Sequence, residues 1–135
     1  MQGSILVVDD NPVNLKLAIN VLETAGFSVS SATDAEEALL AIEMRLPQLI
    51  LMDIGLPGMD GLTLTRRLKG DSRYASLRIV AFTAFAMKGD DRKALEAGCD
   101  GYITKPIDTR TLAVQVASYL PDRAASASST REAAT

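Results

Sequence analysis

Three aspartates, a threonine and a lysine hold the chemistry of this chain. Asp53 ends the apolar run Leu49-Ile50-Leu51-Met52 and is followed by the Gly/Pro-rich Ile54-Gly55-Leu56-Pro57-Gly58-Met59-Asp60-Gly61. Asp9 and Asp10 end a second apolar run, Ile5-Leu6-Val7-Val8. A third, Ile79-Val80-Ala81-Phe82, stops at Thr83, and a fourth, around Tyr102-Ile103, stops at Thr104-Lys105-Pro106. An apolar run that ends abruptly in a polar group and a loop reads as a buried strand bringing that group to the C-terminal edge of a sheet. Open α/β sheets bind their ligands at that edge. One such strand end would say little. All of them together, with carboxylates, a hydroxyl and an ammonium, point to a metal-dependent phosphoryl acceptor.

The carboxylates of Asp9, Asp10 and Asp53 repel one another if gathered at one edge, and a hard divalent cation relieves that repulsion. Mg2+ prefers oxygen ligands and usually keeps several waters. The expected protein ligands are the carboxylates of Asp10 and Asp53 and the main-chain carbonyl of Gly55, with Asp9 acting through water. An aspartate is a competent nucleophile toward phosphorus and forms an acyl phosphate. Transfer then depends on positioning and on neutralising charge spread over the equatorial oxygens. Lys105 offers a positive partner for one such oxygen and Thr83 a hydroxyl donor for another.

The elements that must position these groups follow from the alternation of apolar runs with helical periodicity. Strands are expected at roughly residues 4–9, 27–32, 48–53, 77–82 and 100–104, with helices between them and after the last. Five βα units in series form a doubly wound α/β fold of flavodoxin-like type, a parallel sheet covered by helices on both faces. Right-handed crossovers favour the strand order 2-1-3-4-5. Asn11 before Pro12 has the form of an N-cap with proline at the first helical position. Asp34 and Glu37 have capping-box spacing, Gly26 and Gly98 stand where helices should stop, and Asp108 is placed to cap the last helix. On the first helix Leu17, Ala18, Val21, Leu22 and Ala25 form one stripe at 100° per residue, with Leu15 and Ile19 at its edge. That edge pair is either a docking surface for a phosphodonor or the margin of a wide core stripe. Residues 1–120 form one domain. From Pro121 to Thr135 nothing larger than alanine is apolar, so this segment is expected to be a disordered tail.

Composition narrows the classes. At 135 residues, 47% of them hydrophobic, the chain is long enough for one substantial core. The net charge of −3 and the lack of a basic stripe argue against a nucleic-acid partner. No run of about 18 apolar residues suggests a membrane span. The chain enters its first strand almost at once and leaves no room for a signal peptide, so the cytoplasm is the expected location. Histidine is absent, which removes histidine metal sites and triads and means that any phosphohistidine must be a partner's. Cys99, the sole cysteine, cannot form an internal disulfide and reads as a small buried residue.

Asp9-Asp10, Asp53 within Leu51-Met52-Asp53-Ile54-Gly55-Leu56-Pro57-Gly58, Thr83-Ala84 and Lys105-Pro106 closely resemble the receiver domain of two-component response regulators, over about residues 4–120. The stretch Val7–Val29 is similar to receivers of hybrid kinases and single-domain regulators. The resemblance implies a phosphorelay signalling module rather than a metabolic enzyme. Asp53 would be phosphorylated from the phosphohistidine of a histidine kinase or phosphotransfer protein, with Mg2+ held at Asp9 and Asp10 and Lys105 on the phosphoryl group. It further implies Thr83 and Tyr102 as a switch pair, a cis Lys105-Pro106 bond and a downstream protein target. Tyr102 is otherwise a half-buried strand aromatic. The chain departs from commoner receivers at Gly55 and Phe85, where polar side chains often help to position a hydrolytic water. A long-lived acyl phosphate is therefore expected. The output face is expected at residues 85–97, 100–104 and 108–120, and the state as a monomer or weak dimer. The competing readings are a phosphorylation-independent scaffold and an aspartate-based phosphatase. The phosphatase reading is disfavoured because such enzymes carry nucleophile and second acid two residues apart on the first strand.

Overall fold

The computed structural model describes residues 3–53, 61–74, 76–83, 90–104 and 107–120. Five strands alternate with five helices: β1 (Ser4–Val8), α1 (Pro12–Thr24), β2 (Ser28–Ala32), α2 (Ala35–Met44), β3 (Leu49–Asp53), α3 (Gly61–Lys69), β4 (Arg78–Thr83), α4 (Asp90–Ala97), β5 (Gly101–Thr104) and α5 (Leu112–Ser118). All strand pairs are parallel, in the order β2-β1-β3-β4-β5. The expected strands and their order are those observed. The segment 121–135, expected to be a tail, lies outside the described residues.

The two-residue period of the strands divides the core into two layers. Leu6, Val8, Ile50, Met52, Ile79 and Ala81 pack with residues of α2, α3 and α4. Ile5, Val7, Leu49, Leu51, Val80 and Phe82 pack with residues of α1 and α5. The central strand β3 is buried at every position from Leu49 to Asp53. Its run of apolar side chains therefore lacks polar alternation, as befits a strand covered on both faces.

Local signals set the helix ends. Asn11 has extended backbone, and its Oδ1 accepts from the N–H groups of Val13 (2.9 Å) and Asn14 (3.2 Å), with Pro12 opening the helix. Asp34 Oδ1 accepts from the Glu37 N–H at 2.8 Å. The return half of the box differs from expectation: Glu37 Oε1 accepts from both the N–H and the hydroxyl of Thr33, each at 2.7 Å. These two bonds favour the ionised form and hold the Glu37 pKa below its ordinary value. Gly26 and Gly98 take positive φ after their helices, as the stop signal required. Asp108 caps the turn that leads into α5: its Oδ1 accepts from the Arg110 N–H at 2.9 Å and its carbonyl from the Leu112 N–H at 3.0 Å. The Arg110 side chain adds a bond to the same carboxylate, and Thr111, directly before α5, makes no side-chain cap bond.

The α1 stripe is also rotated from its expected position. Leu15, Ala18 and Leu22 are the buried residues, with Ile19, Val21 and Ala25 packed at their margin. Leu17 is half-buried and lines a shallow depression with Val13, Lys16, Ile19, Asn20 and Glu23.

At the opposite end of the sheet from the acids, Lys69 closes α3 onto the strands. Its Nζ donates to the Leu77 carbonyl at 2.6 Å and to Asp100 Oδ2 at 2.9 Å. The same Asp100 oxygen accepts from the Ile79 N–H at 2.8 Å. Nearby, β5 is locked to α5 by a close approach, since a Cβ on Gly101 would lie 2.2 Å from Tyr119 Cε1. Gly101→Ala must displace that ring and should cost about 1–3 kcal/mol, the range for overpacking a core. Urea unfolding checks this, and Gly101→Ala combined with Tyr119→Ala should lose less than the sum of the two single changes.

Candidate functional site

The acids are brought together by register. Val8 pairs with Met52, so the next residues, Asp9 and Asp53, lie side by side where β1 and β3 end. Asp10 follows one residue on, at the start of the loop into α1. Ligand oxygens of Asp9, Asp10 and Asp53 all lie within 4.8 Å of one another. Asp9 is wholly buried, Asp53 is 8% exposed and Asp10 is exposed. The cluster thus runs from the core edge to solvent, with Asp10 as its exposed member.

This donor set suits a hard divalent cation. It offers only oxygen, it is rich in negative charge, and one face is open for water and a further ligand. Asp9, Asp10 and Asp53 could hold such an ion. Gly55, expected to add a carbonyl, lies outside the described residues.

A positioning contact not expected from sequence sits beside the acids. The Asn11 N–H donates to Asp9 Oδ1 at 2.9 Å, which fixes the orientation of that carboxylate. Asn11 therefore caps α1 with its side chain and orients Asp9 with its main chain. The signal was present in the sequence as Asp-Asp-Asn-Pro, a run typical of turns that bond their own backbone.

The remaining site residues fall as follows. Asp53 pairs in register with Phe82, so Thr83 at the end of β4 lies one step beyond Asp53, and Thr83 pairs with Thr104 of β5. Thr83 is thus at the same sheet edge as the acids. Lys105 and Pro106 follow Thr104 directly and lie outside the described residues, as does Phe85. Tyr102 is half-buried, pairs with Ala81 and packs against the layer that contains Ala94 of α4.

The expected docking pair on α1 divides. Leu15 is only 9% exposed and belongs to the core beneath the sheet, which corrects its expected place at an accessible edge. The cause is the rotation of the helix: Leu15 lies one turn before Ala18 and Ile19, and the core takes it. Ile19 remains at the margin and lines the α1 depression. Val13, not singled out from sequence, is 72% exposed there.

Cys99 is buried, as expected. Burial pushes its thiol pKa up, against a smaller opposing effect from the Thr65 hydroxyl. The Lys69 charge acts in the lowering direction but ranks below burial, so the thiol lacks the activation of a reactive cysteine. Among the described residues no helix is long and apolar enough to cross a membrane.

Comparison with known proteins agrees with this geometry. A profile of the response regulator receiver domain matches residues 5–117. The polar-differentiation response regulator DivK of Brucella anthropi is 39% identical over 122 residues, covering 90% of this chain and 99% of DivK. A response regulator structure from Chloroflexus aurantiacus superposes with a TM-score of 0.83 at 32% identity, covering 88% of this chain and 98% of that one. The receiver domain of a signal transduction histidine kinase from Syntrophus aciditrophicus gives a TM-score of 0.81 at 31% identity, with 95% and 97% covered. With its five-stranded 2-1-3-4-5 sheet and its acids gathered at the C-terminal edge, the chain belongs to the response regulator receiver domain family of two-component signalling.

Proposed function

We propose that the chain is a single-domain response regulator in which Asp53 accepts a phosphoryl group from a partner's phosphohistidine and thereby switches a protein-binding surface. The observation that carries this reading is the set of three carboxylates within 4.8 Å of one another at the C-terminal edge of the sheet. In the transfer a carboxylate oxygen of Asp53 attacks phosphorus, the P–N bond of the donor breaks, and the imidazole leaves. Asp10, Asp53 and the Gly55 carbonyl would hold Mg2+, with Asp9 acting through water, and the ion would supply positive charge to offset the acids and the phosphoryl oxygens. Asp9, oriented by the Asn11 N–H, forms the inner wall of the cluster. Lys105 pairs with a phosphoryl oxygen and the Thr83 hydroxyl donates to another. The Lys105-Pro106 bond is cis in this reading and sets the direction of the lysine.

The phosphoryl group adds roughly two negative charges at the sheet edge. Thr83 turns toward it and Tyr102 takes up the space released. The output face comprises residues 85–97, 100–104 and 108–120, where a downstream protein target docks. The donor is a histidine kinase or a histidine phosphotransfer protein, and the site of action is the cytoplasm. The protein works as a monomer or weak dimer.

Intact mass after incubation with a small acyl-phosphate donor tests the acceptor chemistry. Wild type should gain one phosphate only with Mg2+ present, and Asp53→Asn none. Asp10→Asn should need far more Mg2+ for the same yield. Absence of any adduct on wild type would favour a phosphorylation-independent scaffold.

The lack of polar side chains at Gly55 and Phe85 leaves few groups to aim a water at the acyl phosphate. Label on purified phosphoprotein should therefore decay slowly, and Phe85→Glu should speed the loss several-fold. Rapid decay from wild type without a phosphatase would contradict this.

The α1 depression is the proposed donor-docking surface, with Ile19 and the exposed Val13 as its apolar contacts. Ile19→Ala with Val13→Ala should slow transfer from a phosphohistidine donor about tenfold, equivalent to roughly 1.4 kcal/mol. Phosphorylation by the small donor should stay unchanged, which separates docking from damage to the fold.

A further inference from the structure

The outer surface of α2 is chemically unlike that of its neighbour α3. Leu40 is 61% and Met44 87% exposed, an (i, i+4) apolar ridge on one face of the helix. Glu36 and Glu43 are exposed beside the same ridge. From Asp34 to Arg45 there are four acids against one arginine. Asp34 and Glu37 are engaged in the helix cap, which leaves Glu36 and Glu43 to face outward.

The α3 segment carries the opposite charge. Between Gly61 and Tyr74 there are four basic side chains, Arg66, Arg67, Lys69 and Arg73, against one aspartate. Lys69 is committed to Asp100 and Leu77. Arg73 is held by Asp71 and lies over the Tyr74 ring. Arg66 and Arg67 are exposed, and neither pairs with an acid among the described residues. The two segments lie in the same layer, because α2 and α3 residues share one core cluster on one face of the sheet.

We propose that this layer is a self-complementary interface, on which α2 of one copy lies against α3 of a second copy. As crossover helices of one parallel sheet, α2 and α3 run in the same direction. A two-fold axis along the helices and between them lays each α2 on the other copy's α3, and the contact occurs twice. Glu36 and Glu43 then meet Arg66 and Arg67 of the second copy. The aliphatic stems of those arginines cover Leu40 and Met44, as long basic side chains do on apolar surface. The alternative pairing of α2 on α2 is opposed by its own acids. A closed two-fold contact requires a surface that is its own complement, and the charge division between α2 and α3 supplies one. This interface is independent of the phosphoryl site, which lies at the sheet edge, and of the α4-β5-α5 output face.

Sedimentation velocity across micromolar to millimolar protein tests it, at low and high salt. Wild type should show a concentration-dependent dimer that weakens as salt screens the exposed pairs. The double variants E36R/E43R and R66E/R67E should each dimerise at least about tenfold more weakly. An equimolar mixture of the two, or the quadruple swap in one chain, should restore the dimer, because each contact again joins opposite charges. All four positions are exposed, so circular dichroism and acyl-phosphate labelling should be unchanged. A wild type that remains monomeric throughout, a dimer indifferent to the double variants, or a failure of the swap to restore association would each overturn the proposal.

Discussion

The sheet register that sets Asp9 beside Asp53 is the constraint on which the rest of the structure depends. Like charges so close oppose the folded state, and nothing in a βα protein requires them. The chain tolerates the repulsion because β1 and β3 are neighbours at the sheet centre, buried from Ile5 to Val8 and from Leu49 to Met52. Slipping either strand by one residue would turn its apolar set from one helical layer toward the other. The core therefore fixes the register, and the register fixes the acids. Much of the sequence can be read as the means of holding an unfavourable cluster in place.

Asn11 shows how economically that is done. One residue ends the loop after the acids, orients Asp9 through its N–H and caps α1 through its side chain. The orientation of the innermost carboxylate and the start of the helix below it are consequently not independent. A change that frays the first turn of α1 also loosens Asp9.

The strands and the acid cluster were legible because they rest on strong, short-range patterns: apolar runs of four residues ending in Asp, with loop residues after them. The strand order followed from connection rules. What was less legible depends on tertiary context. The face of α1 was misplaced because Leu15, Leu17 and Leu22 are equally apolar, and only packing against Ile5, Val7 and α5 decides which of them turns inward. Asp108 was legible as a cap, but the arginine two residues on, whose side chain joins its backbone N–H on the same carboxylate, was not singled out. The partner of Glu37 proved to be Thr33 because a hydroxyl and an N–H together outcompete a single N–H. Lys69 and Asp100 are 31 positions apart, and no local pattern announces that pairing.

That last contact fixes the mechanical character of the domain. Asp100 joins the end of α3, the start of β4 and the entry to β5 in one knot, with Gly98 folded over the Lys69 stem. Those elements are pinned at the edge far from the acids. β4 and β5 are thus tied twice, by side chains at that edge and by the ladder pair Thr83–Thr104 at the acidic edge. The two strands form one stiff plank between the end of α3 and the acids, so a push at one edge is carried along its length rather than absorbed in a loop.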